Sequence, residues 1–178
     1  MKKAIVIILA VALCVALVGC SSSNTSSSGG NSSQTPSQTP SFSDDNGKIT
    51  LGTAELYVGL EIDEAIIEKI GEPEDILSAP SCYFDGEDTI YLYEGFSLYT
   101  YRDGDKDVLY IIELSDGAHS TNLGAKVGMN IYDVEELYGG NSSGTATSKV
   151  FKLSENSKIR FTFDDTDTVI LIEYELIG

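Results

Sequence analysis

The 178-residue chain carries 28 acidic side chains against 11 lysines and arginines, a net charge of −17 at pH 7. A field of that sign should repel nucleic acid, anionic lipid headgroups and anionic wall polymers, which argues against all three as ligands, whereas a basic protein, a cation or a neutral surface stays admissible. Three cysteines and one histidine are too few for a disulfide scaffold or a zinc module.

The first element is a leader. Met1-Lys2-Lys3 gives a positive start, "AIVIILAVALCVAL" an apolar run, and Leu17-Val18-Gly19-Cys20 closes it. The run is short of the roughly 20 residues that span a bilayer, so it reads as a secretory signal and not a membrane helix. Leu17 to Cys20 resembles the lipobox of bacterial lipoproteins. That resemblance implies removal of residues 1–19, diacylglycerol on the Cys20 thiol, and Cys20 as the mature N-terminus. Loss of Lys2 and Lys3 with the leader takes the net charge from −17 to −19. Buried acyl chains contribute about 0.8 kcal/mol per methylene, so two or three of them anchor a protein firmly.

Residues 20–48 continue as the lipidated cysteine and a linker of Ser, Gly, Asn, Gln, Thr and Pro, too polar to form a core. Its reach at rest is about 30 Å. This is the style of tether found in lipoproteins of Gram-positive bacteria, and it places the remaining residues on the outer face of the cell membrane.

From residue 49 the chain reads as two similar halves, 49–117 and 118–178. "VGLEIDEAIIEKIGEP" from Val58 matches "VGMNIYDVEELYGGNS" from Val127 at an offset of 69 residues. Each predicts a short helix. Ile62, Ala65, Ile66 and Ile70 recur at helical spacing, as do Ile131, Val134 and Leu137. Asn130 suits an N-cap, and Gly71 and Gly140 suit C-terminal stops. Strands are predicted at Ser81–Phe84, Thr89–Tyr93, Phe96–Tyr101 and Val108–Leu114, then at Lys149–Leu153, Lys158–Phe163 and Thr168–Leu176. Glu94-Gly95 is a two-residue turn, and "RDGDKD" and "DDTD" are hairpin tips.

A Val-Gly helix ending in Gly, followed by a meander and given twice behind a lipobox, resembles β-lactamase inhibitory protein and the small outer-membrane assembly lipoproteins. The resemblance implies an α+β fold of two tandem helix-plus-antiparallel-sheet repeats, with helices on one sheet face and the other face open. In the inhibitor the open face binds a protein; no residue here matches its insertion loop, so inhibition of a β-lactamase does not carry over.

The strands of the two halves align at an offset of 62, Tyr99 with Phe161 and Tyr101 with Phe163. In the second half Ile159, Phe161 and Phe163 alternate with Lys158, Arg160 and Thr162, so the apolar set should face the helix. By equivalence Tyr99 and Tyr101 are expected in the core. Tyr91, Tyr93, Phe96 and Leu98, extended by Leu109 and Ile111, are expected on the outer face, where Glu173 and Glu175 stand in the other half. An apolar, Tyr-rich patch of this kind suits a protein-binding surface. It equally suits packing on the other half, on residues before Val58, or on a second copy.

The remaining motifs carry little chemistry. "DGDKD" lacks the Gly and the bidentate Glu of a calcium loop. His119 has no second histidine beside it in sequence, and Cys82 has acidic neighbours that disfavour a thiolate. The sequence therefore predicts no catalytic residue, no metal site and no cofactor. The expectation is a membrane-anchored extracytoplasmic protein-binding module, not an enzyme, with a binder of a cation or small ligand as the alternative.

Overall fold

The computed structural model describes residues 44–177, so the lipidation expected at Cys20 and most of the tether lie outside the described residues. A 3-10 turn at Asp44–Gly47 leads into a hairpin of β1 (Lys48–Leu51) and β2 (Ala54–Tyr57). There follow α1 (Glu64–Ile70), a meander of β3 (Asp75–Pro80), β4 (Glu87–Tyr93), β5 (Phe96–Asp103) and β6 (Lys106–Leu114), then α2 (Ile131–Tyr138). The chain closes with β7 (Ser143–Thr145), β8 (Ser148–Lys152), β9 (Ser157–Phe163) and β10 (Val169–Leu176).

The expected α+β fold of two tandem helix-plus-sheet units is corrected by this architecture. The protein is mostly β: β3 to β10 form one continuous eight-stranded antiparallel sheet in the order β3-β4-β5-β6-β10-β9-β8-β7. The seam that would have divided two units is a strand pair, with Ile172 opposite Leu114 and Tyr174 opposite Ile112. Among the described residues there are two helices, of 7 and 8 residues, too short to carry a layer of their own. The order of the chain also differs from expectation. Asp75–Pro80, where no strand was predicted, is an edge strand, while Ser81–Phe84, predicted as a strand, is a loop.

Local signals in the helices held. Asp63 and Asn130 cap them, their side-chain oxygens accepting from the Ile66 and Tyr132 amides at 2.9 and 3.0 Å. Gly71 ends α1 by donating to the Ile67 carbonyl, and α2 ends at Gly139, one residue before the stop expected at Gly140. Gly95 supplies the positive φ that the β4–β5 turn requires.

One face of the sheet is covered by α1, α2, the β1–β2 hairpin and the 115–130 connector. Ile49, Leu51, Ala54 and Leu56 of the hairpin, Ala125 of the connector and Ile131, Val134 and Tyr138 of α2 are all buried with the sheet's inner residues in one core. The hairpin locks onto α1 through Thr53, whose amide donates to the Lys69 carbonyl at 2.8 Å. Gly52 makes that approach possible, because a Cβ there would sit 2.5 Å from the same carbonyl oxygen.

The inner face of the first meander is the reverse of the one expected. Phe96 (6% exposed), Leu98, Thr100, Leu109, Ile112 and Leu114 point into the core, with Tyr91 and Tyr93 packed against it. Tyr99 and Tyr101 point out. The reason is a shift of parity. Gly59 donates to the Leu109 carbonyl and Gly128 to the Val169 carbonyl, so the last strands of the two meanders correspond at an offset of 60. Thr100 pairs with Leu109 and Phe163 with Val169, so β5 and β9 correspond at 63. An offset of 62 misplaces β5 by one residue, and in a strand one residue exchanges the two faces. Lys158–Phe163, Glu173 and Glu175 fall on the faces expected of them.

Phe96→Ala is therefore expected to cost about 3–5 kcal/mol of stability in urea unfolding. Tyr132→Ala, at an exposed position of α2, is expected to stay within about 0.5 kcal/mol. Equal midpoints for the two variants would mean that Phe96 lies outside the core.

Candidate functional site

The sheet face opposite the core presents a compact set of aromatic and charged side chains. Its aromatic half is built on a β-bulge. Tyr99 pairs with Ile111 and Thr100 with Leu109, which leaves Tyr110 as an extra residue of β6 and turns it to the same side as Ile111. The Tyr110 ring lies 6.1 Å from Tyr101, 6.3 Å from Tyr83 and 6.4 Å from Tyr99, and meets Phe84 edge-on at 5.3 Å. Phe84 in turn stacks on Tyr101 with centroids 3.7 Å apart and planes 11° apart. Burial raises the Tyr110 hydroxyl well above its ordinary pKa, helped by its hydrogen bond to Asp88; burial, then the neighbouring Glu113, pushes Tyr99 up to about 12.

Tyr83 and Phe84 arrive from the loop between β3 and β4. Ser81 shapes it: its hydroxyl oxygen accepts from the amides of Phe84 (3.0 Å) and Tyr83 (3.3 Å), while its own amide donates to Gly86. The loop folds Phe84 onto the sheet and leaves Tyr83 at 78% exposure. Cys82, in the same loop, is exposed and free.

The charged half comes from alternate residues of β6, β9 and β10. Arg160 donates to both oxygens of Glu175, Nε at 2.5 Å and Nη2 at 3.2 Å, and Lys158 Nζ lies 2.7 Å from the same carboxylate. Glu173 stands between Arg160 on one side, 3.7 Å away, and Glu113 of β6 directly opposite on the other. Glu113 accepts from the Tyr99 hydroxyl at 3.3 Å, which joins the two halves of the site. Three half-buried carboxylates thus share two cations. Burial raises Glu173, and the charge on Glu175 raises it further. Burial also pushes Glu175 up, but the bonds from Arg160 and Lys158 outweigh it and hold Glu175 below the ordinary carboxylate value.

Between the two halves lies an open cleft of about 470 Å³, walled by Tyr83, Phe84 and Tyr110, floored by Ile111 and Leu176, and bounded by Lys158, Arg160, Glu173 and Glu175. It combines ring faces, an apolar floor and fixed charges of both signs, which is chemistry for holding a ligand. Among the described residues no group of three or more His, Cys, Asp or Glu is arranged to hold a metal ion.

Of the six residues expected on this face, Ile111 alone lines the cleft. Phe96, Leu98 and Leu109 are core residues, and Tyr91 and Tyr93 are half-buried against them. Tyr93 and Phe96 stack on each other at 4.5 Å and reach a separate concavity with Asp116 and His119; the His119 ring meets Phe96 edge-on at 5.0 Å. Sequence reasoning placed Lys158, Arg160, Glu173 and Glu175 on the right face without making them a site. Arg160 opposite Glu173 and Lys158 opposite Glu175 was the available signal, once β9 and β10 are written in register.

No family model matches this chain, and no curated protein matches it. Among solved structures it is similar to an extracellular protein containing an SCP domain from Bacillus anthracis str. Ames, at 16% identity and a TM-score of 0.42. The alignment covers 66% of this chain and 43% of that one, so the chain spans less than half of that protein's length. A likeness of that degree leaves fold and function to be read from the chain's own residues. No helix of the described residues is long and apolar enough to cross a membrane.

The carboxylates predict a pH signature. With its native pKa raised, Glu173 favours the folded state fully below the ordinary Glu value of about 4.3, and that contribution is lost as pH rises through the raised value. Glu175, lowered, contributes above about 4.3 and loses its contribution as pH falls through its native value. Glu173→Gln is therefore expected to stabilise the protein at pH 7 by about 0.2–1 kcal/mol, the scale of one like-charge cross-strand pair, and by less at pH 4. Urea midpoints at the two pH values check it; destabilisation at pH 7 would contradict the assignment.

Proposed function

We propose that this chain is a membrane-anchored extracytoplasmic lipoprotein that acts as a non-catalytic protein-binding module. A lipid on Cys20 holds it to the outer face of a bacterial membrane of Gram-positive type. Residues 21–48 are the tether, and the outer face of the sheet, centred on the Tyr83–Tyr110–Arg160 cleft, meets the partner.

The observation that carries this reading is the sheet face itself. Both helices and the β1–β2 hairpin pack on the inner side, and the outer side keeps a cleft with Tyr83 standing 78% exposed at its rim. Tyr and Arg are the side chains favoured in protein-binding surfaces, because each offers a broad flat contact area together with hydrogen bonding. The net charge, −17 for the chain and −19 once Lys2 and Lys3 leave with the leader, favours a basic partner and repels nucleic acid. The lipid anchor rests on the lipobox-like Leu17-Val18-Gly19-Cys20 and the polar tether behind it.

Two experiments test the two halves of the proposal. For the anchor, Cys20→Ala is expected to lose incorporated acyl chains and to leave the acylated membrane pool; unchanged acylation would end the lipoprotein reading. For the surface, a photocrosslinking residue at position 83 on intact cells is expected to give a discrete protein adduct that fades as ionic strength rises. The same residue at position 132, on α2, is expected to give none. Identical adducts from both positions, or none from 83, would contradict the assignment of the outer face.

A further inference from the structure

Asp88 of β4 lies in the aromatic half of the outer face at 7% exposure. Its Oδ2 accepts a hydrogen bond from the Tyr110 hydroxyl at 2.8 Å, and its Oδ1 is buried with no hydrogen-bond partner. None of the ion pairs among the described residues includes it: Arg102, the nearest arginine in the sheet register, pairs with Asp107. A carboxylate removed from water with half its accepting capacity unused costs free energy, and such a group calls for an explanation. Tyr101 pairs directly across the strand from Asp88, and Phe84 fills the corner space beside Tyr101 and Tyr110, stacked on the one and edge-on to the other, while those two rings meet edge-on at 6.1 Å.

We propose that this space is a receptor slot for an organic cation, an alkylammonium or guanidinium group, with the Tyr101 and Tyr110 rings as its walls, Asp88 as its counter-charge and Phe84 as a plug that the cation displaces. The inference rests on the reading of the outer face as the binding surface and names the chemical group received there. Ring faces attract a cation through their quadrupole, most strongly when the site is desolvated, and a buried carboxylate beside them supplies full charge. Those same rings offer no oxygen shell to a hydrated metal ion, so the slot discriminates for a large, weakly hydrated cation. Phe84 is suited to leave because it belongs to the short loop Ser81–Gly86, which is held by Ser81 at its start, and because its neighbour Tyr83 already stands in solvent. The acidic chain raises the local concentration of any cation around the slot.

The test is a titration of the full chain, 13C-labelled at its tyrosine rings and held at constant ionic strength. The probes are tetramethylammonium chloride, the peptide Gly-Lys-Gly, and 3,3-dimethylbutan-1-ol as a neutral control. Saturable shifts of the Tyr101 and Tyr110 resonances are expected with a cation and not with the alcohol. Saturation by the peptide alone identifies a protein side chain as the source, and saturation by tetramethylammonium as well admits a small quaternary ammonium. Asp88→Asn is expected to weaken the midpoint about tenfold by removing the counter-charge. Phe84→Ala is expected to tighten it roughly threefold by removing the competing plug, and serves alone should Asp88→Asn fail to fold. The proposal is overturned if no cation shifts these rings, if the alcohol shifts them at the same midpoint, or if Phe84→Ala leaves the midpoint unchanged. Failure here beside a persistent adduct at position 83 ends the cation slot and leaves the binding face; success here without that adduct does the reverse.

Discussion

The main-chain pairing of Gly59–Ile62 with Asp107–Leu109 governs what the rest of the first meander presents to either side. Gly59 and Ile62 donate to the Leu109 and Asp107 carbonyls, and Leu109 donates back to Leu60. That clamp fixes Leu109 in the core, where it is fully buried. Because Leu109 also pairs with Thr100 while Ile111 pairs with Tyr99, one residue of β6 has no opposite number, and that residue is Tyr110. The bulge therefore sets two things at once. It gives the inner face Leu98, Thr100, Leu109 and Ile112, and it gathers Tyr99, Tyr101, Tyr110 and Ile111 on the outer face. The aromatic cluster, the cleft and the seat of Asp88 all follow from one extra residue.

The same bulge marks where the sequence stops being readable. Turn chemistry was plain at Glu94-Gly95, and capping was plain at Asn130 and Gly71, because each depends on a residue type at one position. The second meander was plain too, since Lys158, Arg160, Glu173 and Glu175 alternate cleanly with Ile159, Phe161, Ile172 and Tyr174. The first meander has apolar side chains on both faces, so hydrophobic alternation cannot say which face is buried. Transferring the answer from the second meander requires the right offset, and the two hairpins differ in loop length by three residues. β3 escaped because Asp75 and Pro80 flank a strand exposed along nearly all its length, which leaves no apolar period to read. Tyr83 and Phe84 look like strand residues in "SCYF", and nothing in their spacing announces that a Ser81-capped loop folds them across the sheet.

The electrostatics of the outer face set like charges side by side. Glu113 and Glu173 oppose each other across β6 and β10, a pairing that disfavours the sheet, and Arg160 is the side chain that makes it tolerable by bridging Glu173 and Glu175. The aromatic half carries a parallel cost in Asp88, whose second oxygen has no partner. The inner face is mostly apolar, though it also buries the hydroxyls of Tyr93, Tyr138 and Tyr174.

The outer face around Tyr83 is the surface proposed to meet a partner. Hydroxyl-radical footprinting of the ten tyrosines, at 57, 83, 91, 93, 99, 101, 110, 132, 138 and 174, on the purified chain and on intact cells, measures this directly. Tyr83 is expected to be heavily modified in the purified chain and protected on cells, with Tyr132 modified equally in both. Protection of Tyr132 with Tyr83 unchanged would contradict the account and move the binding surface to the helical side.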